Sequence, residues 1–242
     1  MEKKITLVTV TYNAADVILG LIDSVNSQEC KNFSWIIVDA ISTDDTLEKL
    51  KNVSPDVDVD ILCESDAGIY DAINKAVLRV CTDYYLVVGA DDRLEKKAIA
   101  NYYKSIECHA PDLVAAHWLT DGKLNKPMKG KGWLVGMRGV ASSHSVSLLI
   151  KKELHEKFGL YNTKYPICAD QLFVKLAVNG NAYIKKEEFV AGEYSSKGIS
   201  GTDALGFLTD FFRVQMATEK NKCLQVLIFA LRVLKNGRKI CK

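Results

Sequence analysis

Two adjacent aspartates close an apolar run in "VVGADDRLEK", where Asp91 and Asp92 follow Val87 and Val88. Like charges side by side repel, and a solvated turn or a helix cap needs only one of them. A divalent cation carrying phosphate oxygens would hold both. Other acids and amides stand at comparable places: Asn13 after "ITLVTVTY", Asp39 in "FSWIIVDA", and Glu64 and Asp66 after "VDIL". One acidic run end reads as a turn or cap, whereas several together read as a site. No GxGxxG follows the first run and no GxxxxGK[ST] occurs, which argues against a dinucleotide oxidoreductase and a P-loop enzyme. Phosphates would then be held through a metal, and hard carboxylate oxygens suit Mn2+ or Mg2+.

The elements that must position these residues follow from periodicity. Ile5–Tyr12, Phe33–Ala40, Val59–Leu62 and Tyr84–Ala90 are short, apolar and rich in β-branched residues, as buried strands are. Between them, Ile18, Leu21, Ile22 and Val25, then a segment opening at "STDDTLEKL", then Ile73, Ala76, Val77 and Val80 carry helical spacing. Asn13 and the Ser/Thr/Asp cluster are candidate caps. The alternation predicts an α/β protein, with a Rossmann-like, mostly parallel sheet flanked by helices on both faces. Ligands bind beyond the carboxyl ends of such strands, the rim where the acids lie.

The second half is less regular. Strands are expected over Asp112–Leu119, Ser145–Ile150 and Ala182–Ala191, and a helix over Cys168–Val178. Thr120–Trp133 reads as a polar loop or hairpin, "KGISG" as a link, and the chain from Thr202 onward as helical.

Composition bounds the rest. The 242 residues are 48% hydrophobic, enough for one large domain with an appendage. The net charge of +2 gives no reason to expect a nucleic-acid partner. From Arg213 to Lys242, however, eight basic residues face one acidic residue. Seven scattered cysteines without a CxxC pair fit reduced thiols. The N-terminus lacks a signal-peptide run, and no apolar stretch is long enough for a membrane span.

"VTVTYNAADVILGLIDSVNSQ", "WIIVDAISTDDT", "ESDAGIYDAINKA" and "VVGADD" occur in that order. Together they resemble the family 2 glycosyltransferases of the GT-A fold, specifically bacterial enzymes of surface-polysaccharide and O-antigen assembly. "SSHSVSLLIKKELHEKFGLYNTKYPICADQLFVKLA" resembles that family's acceptor half, and "KGISG" a family loop. The resemblance implies a GT-A domain over 1–202, with a nucleotide-sugar half (1–92) and an acceptor half (93–202), followed by C-terminal amphipathic helices (203–242). It also implies an inverting transfer from a nucleotide-diphosphate sugar, a UDP-hexose first, to a lipid-diphosphate-linked saccharide. Thr11 and Asn13 would border the nucleotide, Asp39 would meet the base, and Glu64 and Asp66 would shape the sugar pocket together with Asp71, which equally fits a surface i,i+4 pair with Lys75. Asp91 would sit at the ribose or metal edge, and Asp92 would ligate Mn2+ or Mg2+, with His144 a further ligand. Two departures, Ala40-Ile41 for a glycine-led pair and "STDDT" for "STDGT", fall in the turn near the base.

The acceptor hydroxyl needs a general base. Asp170 in "CADQ" matches the family's acid, with His144 and Glu193 as alternatives; Asp170 could also merely cap its helix. A nucleotidyltransferase would carry a Gly-rich, Arg-bearing loop where this chain has "TYNAADV". A processive synthase would carry membrane spans and QxxRW, and a non-catalytic nucleotide-sugar-binding protein would lack Asp92 or Asp170. In the tail, Gln225, Arg232, Asn236 and Lys239 form a polar stripe, and Leu224, Leu227, Ile228, Leu231 and Leu234 an apolar flank. That pattern fits a helix lying on the cytoplasmic face of a membrane, making a peripheral protein, or one docked on the catalytic domain.

Overall fold

The computed structural model describes residues 3–128, 130–142, 144–195 and 203–240, with side chains as far as Asn236. The "KGISG" segment lies outside the described residues.

The first half builds as its periodicity predicts. β1 (Ile5–Thr11), β2 (Ser34–Asp39), β3 (Asp58–Cys63) and β4 (Tyr84–Val87) pair in parallel in the order β3-β2-β1-β4. α1 (Ala15–Asn26), α2 (Thr46–Lys49) and α3 (Ile69–Arg79) connect them. Successive strand residues face opposite sides. Leu7, Trp35 and Ile37 meet Ile18, Leu21, Ile22 and Val25 of α1 on one face. Val8, Ile36 and Val38 meet Ile73, Ala76 and Val77 of α3 on the other. Burying each such side chain contributes on the order of 2 kcal/mol. The register pairs Thr11 with Asp39 and Asp39 with Cys63, so the strand ends form one row.

The second half is mixed rather than parallel. β5 (Arg93–Leu94) and α4 (Ala98–His109) follow the paired aspartates, and neither was read from the sequence. β6 (Leu113–Thr120) turns back into β7 (Lys123–Asn125) through Asp121 and Gly122. Both turn residues have positive φ, +50° and +71°, as a two-residue hairpin needs. α5 (Gly132–Val135) precedes the region expected to open as a strand at Ser145. That region instead forms a 3₁₀ turn over Ser145–Ser147, followed by β8 (Leu148–Lys151). α6 (Leu154–Phe158), α7 (Ala169–Asn179) and β9 (Ile184–Tyr194) complete it. β9 continues beyond its predicted end because its last residues pair in parallel with β6 on one side and, at Gly192 and Glu193, antiparallel with β5 on the other.

Two pairings bring the halves together. β8 lies antiparallel to β4, with Leu86 opposite Leu149, so the residues before β8 stand where β4 ends. β5 pairs Arg93 with Glu193, which sets the end of β9 beside Asp92.

The C-terminal helices are α8 (Ala204–Thr218), capped by Asp203 accepting from the Gly206 N–H at 2.7 Å, and α9 (Lys222–Ile240). Phe211 and Val214 of α8 pack on Cys168 and Leu172 of the α7 region. Lys175 of α7 is 2% exposed; its ammonium meets Glu219 at 2.5 Å and also donates to Gln215. A buried charge stripped of its partners is costly, so this pair locks α8 to α7. Lys175→Ala should cost about 3 kcal/mol. Lys175→Met should cost less, because it fills the space while Glu219, 22% exposed, can turn to water. Urea unfolding of the two variants checks the order.

Candidate active site

The row of strand ends is first a clip. Asp39 is fully buried. Thr11 Oγ1 donates to its Oδ2 at 2.7 Å. Ser42 donates its backbone N–H to Oδ1 at 2.7 Å and its hydroxyl to Oδ2 at 2.6 Å. Asn13 does not cap α1; its Oδ1 accepts from the Thr43 N–H at 2.9 Å and its own N–H donates to Ser42 Oγ at 2.8 Å. The loops after β1 and β2 are thereby tied together. Between them Ile41 stands at φ +59°, a left-handed conformation that a β-branched side chain resists. Of the two departures noted in the sequence, this one is strained; Asp45, where the family has glycine, takes an ordinary φ of −75°.

The turn after β3 is also self-contained. Asp66 accepts from the Gly68 N–H at 2.8 Å and Asp71 from the Ala67 N–H at 3.0 Å. Lys75 bridges Glu64 at 3.3 Å and Asp71 at 3.2 Å.

Asp91 and Asp92 differ. Asp92 is 3% exposed. Its carboxylate accepts the Gly89 N–H and the Ser195 N–H, each at 3.0 Å, and no cation compensates it among the described residues. Burial, reinforced by the neighbouring Asp91 charge, pushes its pKa up to about 6. Asp91 is partly exposed. A Cβ at Gly89 would lie 2.9 Å from Asp92 Oδ2 and 3.0 Å from Asp91 Oδ1, so only glycine leaves both carboxylates room.

His144 arrives on the segment before β8. Its ring stacks on Tyr194 at 3.7 Å and meets Trp118 edge-on at 5.5 Å. Burial, then the Arg138 charge, lowers its pKa to about 4, so the imidazole is neutral and keeps a lone pair at neutral pH.

Asp170 lies in the first turn of α7, but the N-cap is Cys168 and no side chain caps the helix. The carboxylate instead accepts the Tyr70 hydroxyl at 2.7 Å. Burial raises its pKa, with the Tyr70 bond pulling the other way. Tyr70 comes from the first turn of α3, and no feature of "IYDAINKA" announces a bond to a residue a hundred positions on. Behind it, Tyr161 is clamped by Asn74 through its N–H and C=O at 2.9 and 2.8 Å. Tyr161 also bonds Tyr85 at 2.7 Å, giving Asp170 a rigid floor.

Two clefts meet here. The larger, about 700 Å³, is walled by Thr11, Tyr12, Asp66, Tyr70, Asp91 and Asp170 among others. The second, about 490 Å³, is walled by Asp91, Asp92, Arg138, His144, Asp170 and Phe211 among others. Asp91, Asp170, Tyr70 and Gly89 belong to both. Asn13, Asp39 and Glu64 wall neither, and Glu193 accepts from the Gly122 N–H at 3.2 Å. Sequence reasoning did not single out Tyr70, Tyr161 or Tyr194. The second cleft carries the adjacent carboxylates of Asp91 and Asp92, hard oxygen donors that suit a divalent cation completing its shell with ligand oxygens and water, and the neutral His144 imidazole lies on the same wall. No cluster of three His, Cys, Asp or Glu side chains placed to hold a metal occurs among the described residues.

Comparison with known proteins bears on the family and the fold. A family model described as Glycosyl transferase family 2 matches residues 6–168. The PGL/p-HBAD biosynthesis glycosyltransferase of Mycobacterium bovis is 27% identical over 168 residues, 68% of this chain and 66% of that protein. The match therefore spans slightly less than two thirds of the relative's own length. S. aureus TarS, solved in complex with UDP, superposes with a TM-score of 0.69 at 18% identity, covering 96% of this chain and 71% of that one. The mannosyltransferase PcManGT of Pyrobaculum calidifontis, solved with GDP-Man and Mn2+, gives 0.69 at 16% identity, covering 99% and 72%. At these identities the structural likeness speaks for the GT-A fold.

If the junction takes a cation, Mn2+ with a nucleoside diphosphate should raise the melting temperature by about 5 °C or more at saturation. Asp92→Asn should abolish the metal-dependent part. Equal shifts with and without the metal would exclude it.

Proposed function

The chain belongs to the family 2 glycosyl transferases, and from that premise we propose that it transfers a hexose from a nucleoside diphosphate, UDP first, to a hydroxyl of a lipid-diphosphate-linked saccharide in surface-polysaccharide assembly. The observation that carries this reading is the shared wall: Asp91 and Asp170 line both clefts. A donor entering from the strand-end side and an acceptor from the α7–α8 side would meet between them. Residues 1–92 then hold the donor and 93–202 the acceptor.

The nucleoside lies where Thr11 and Asp66 wall the larger cleft, above the clip of Asn13, Asp39 and Ser42. Asp91 and Asp92, with His144 on the same cleft wall, would hold a divalent cation, Mn2+ or Mg2+, which would offset charge building on the departing diphosphate. Asp170 takes the proton of the acceptor hydroxyl as that oxygen bonds the anomeric carbon. The carbon–oxygen bond to the diphosphate breaks, and its electron pair leaves with the nucleoside diphosphate. Attack opposite the leaving group inverts the anomeric centre. Tyr70 orients the Asp170 carboxylate, and burial makes it a stronger base than a solvated aspartate.

A panel of UDP-Glc, UDP-Gal and UDP-GlcNAc, assayed for nucleoside diphosphate release with a lipid-diphosphate-linked acceptor, tests the reading. One donor should be consumed, Mn2+ or Mg2+ should be required, and the product should have the opposite anomeric configuration. Acceptor-dependent release from none of the donors, or a retained configuration, counts against it.

Asp170→Asn should lower turnover by about a hundredfold or more while leaving donor affinity unchanged. The base works ionised, and burial raises its pKa above that of a solvated aspartate. Turnover should therefore be lost, as pH falls, at a higher pH than an ordinary carboxylate would give. That acid limb should vanish in the variant. Near-normal turnover in Asp170→Asn would move the proton acceptor elsewhere.

A further inference from the structure

The last helix is docked inside out. Gln225 of α9 is 2% exposed, and its amide donates to the Trp133 carbonyl at 2.9 Å. Arg232 donates to the Leu134 carbonyl and lies over the Phe211 ring at 4.4 Å. The stripe facing the domain is thus the polar one, aided by Ile228 and by Phe229 stacked on Phe212 at 4.4 Å. The outward face carries Leu227 at 57% exposure, Leu231 at 58% and Leu234 at 78%, with Val226 beside them at 51%. Leu227, Leu231 and Leu234 recur at helical spacing, one ridge on one side. A helix docking on a soluble domain normally does the opposite, and an apolar ridge left to water is costly.

Charge identifies the cover. From Arg213 to Lys242 there are eight basic residues and one acidic. Lys220, Lys222 and Lys235 are exposed. Two copies of this chain meeting ridge to ridge would face each other with like charge. An anionic lipid surface would accept the leucines between its headgroups and pair with the lysines. No helix among the described residues is long and apolar enough to cross a membrane, whereas about 28 Å of helix can lie along one.

We infer that α9 seats the protein on an anionic membrane surface through the Leu227–Leu231–Leu234 ridge, held at the angle set by Gln225 and Arg232. The second cleft is close by, since Phe211, beneath Arg232, is one of its walls. Docking sets that mouth beside the lipid headgroups. The inference rests on the burial and charge of α9 and does not depend on the transfer reaction.

The test uses the full chain with phosphatidylglycerol and phosphatidylcholine vesicles, sedimented and assayed for bound protein. The protein should sediment with phosphatidylglycerol, much less with phosphatidylcholine, and less as salt is raised. The combined variant Leu227→Gln, Leu231→Gln, Leu234→Gln should weaken binding about tenfold or more. Its melting temperature should not fall, because the ridge contacts water in the free protein. No sedimentation of the parent with phosphatidylglycerol, or equal sedimentation of the variant, overturns the inference. So does a marked loss of stability in the variant, which would mean that protein covers the ridge. A parent dimer that the variant splits into monomers would make a second copy the occupant and overturn it too.

Discussion

A carboxylate withdrawn from water must be repaid in hydrogen bonds or by a cation, and the architecture around the clefts follows from how each acid meets that demand. Asp39 is met three times over, by Thr11 and twice by Ser42, and becomes a rivet between loops. Asp210, 3% exposed, is met by the Ile167 N–H at 2.9 Å and by Arg213 at 2.8 Å, and anchors α8. Among the described residues Asp92 is met by two backbone N–H groups, and Asp170 by one phenol among its side-chain partners. The acids with unmet demand wall the clefts, where a ligand can supply what the fold withholds.

Chain direction explains how distant segments reach one rim. Four parallel strands deliver Thr11, Asp39, Cys63 and the turn after Val87 to the same edge. β8 runs against β4, so its beginning, with His144 just before it, arrives where β4 finishes. β9 runs against β5 and brings Ser195 to Asp92. α7 then presents its first turn, and Asp170, toward α3. Each contribution needs only a short segment once the direction of its strand is set.

Much of this was legible in the residues. The first four strands and the helices packing Ile18 through Val25 and Ile73 through Val77 carry their periods openly. Asp66, Asp91 and Asp92 could be picked out because several acids gather at the ends of buried strands, and Thr11 and Asp170 through the resemblance to the family. Partnership was not legible. Asn13 reads equally as a helix cap and as a loop clip, and only the approach of Thr43 decides it. Tyr70 reads as one more core aromatic until Asp170 comes to 2.7 Å. α4 was overlooked amid tyrosines and lysines, and Ser145–Ser147 read as strand although the turn before β8 tightens it into a 3₁₀ helix. The sides of α9 were visible in its heptad-like spacing, but which side faces the domain was set by the carbonyls of Trp133 and Leu134.

The seam between α7 and α8 has its own thermal character. Hydration of charged groups carries a strongly negative entropy, so the cost of withholding water from Lys175 and Glu219 shrinks on warming. Burial of apolar area gains little over the same range. As temperature rises, the seam's ion pair therefore supplies a growing share of the cohesion holding α8 in place. Phe207 and Phe211 of α8 form part of one cleft mouth. That wall is fastened by the kind of contact that heat weakens least, while the hydrophobic packing under the strands follows the ordinary curve.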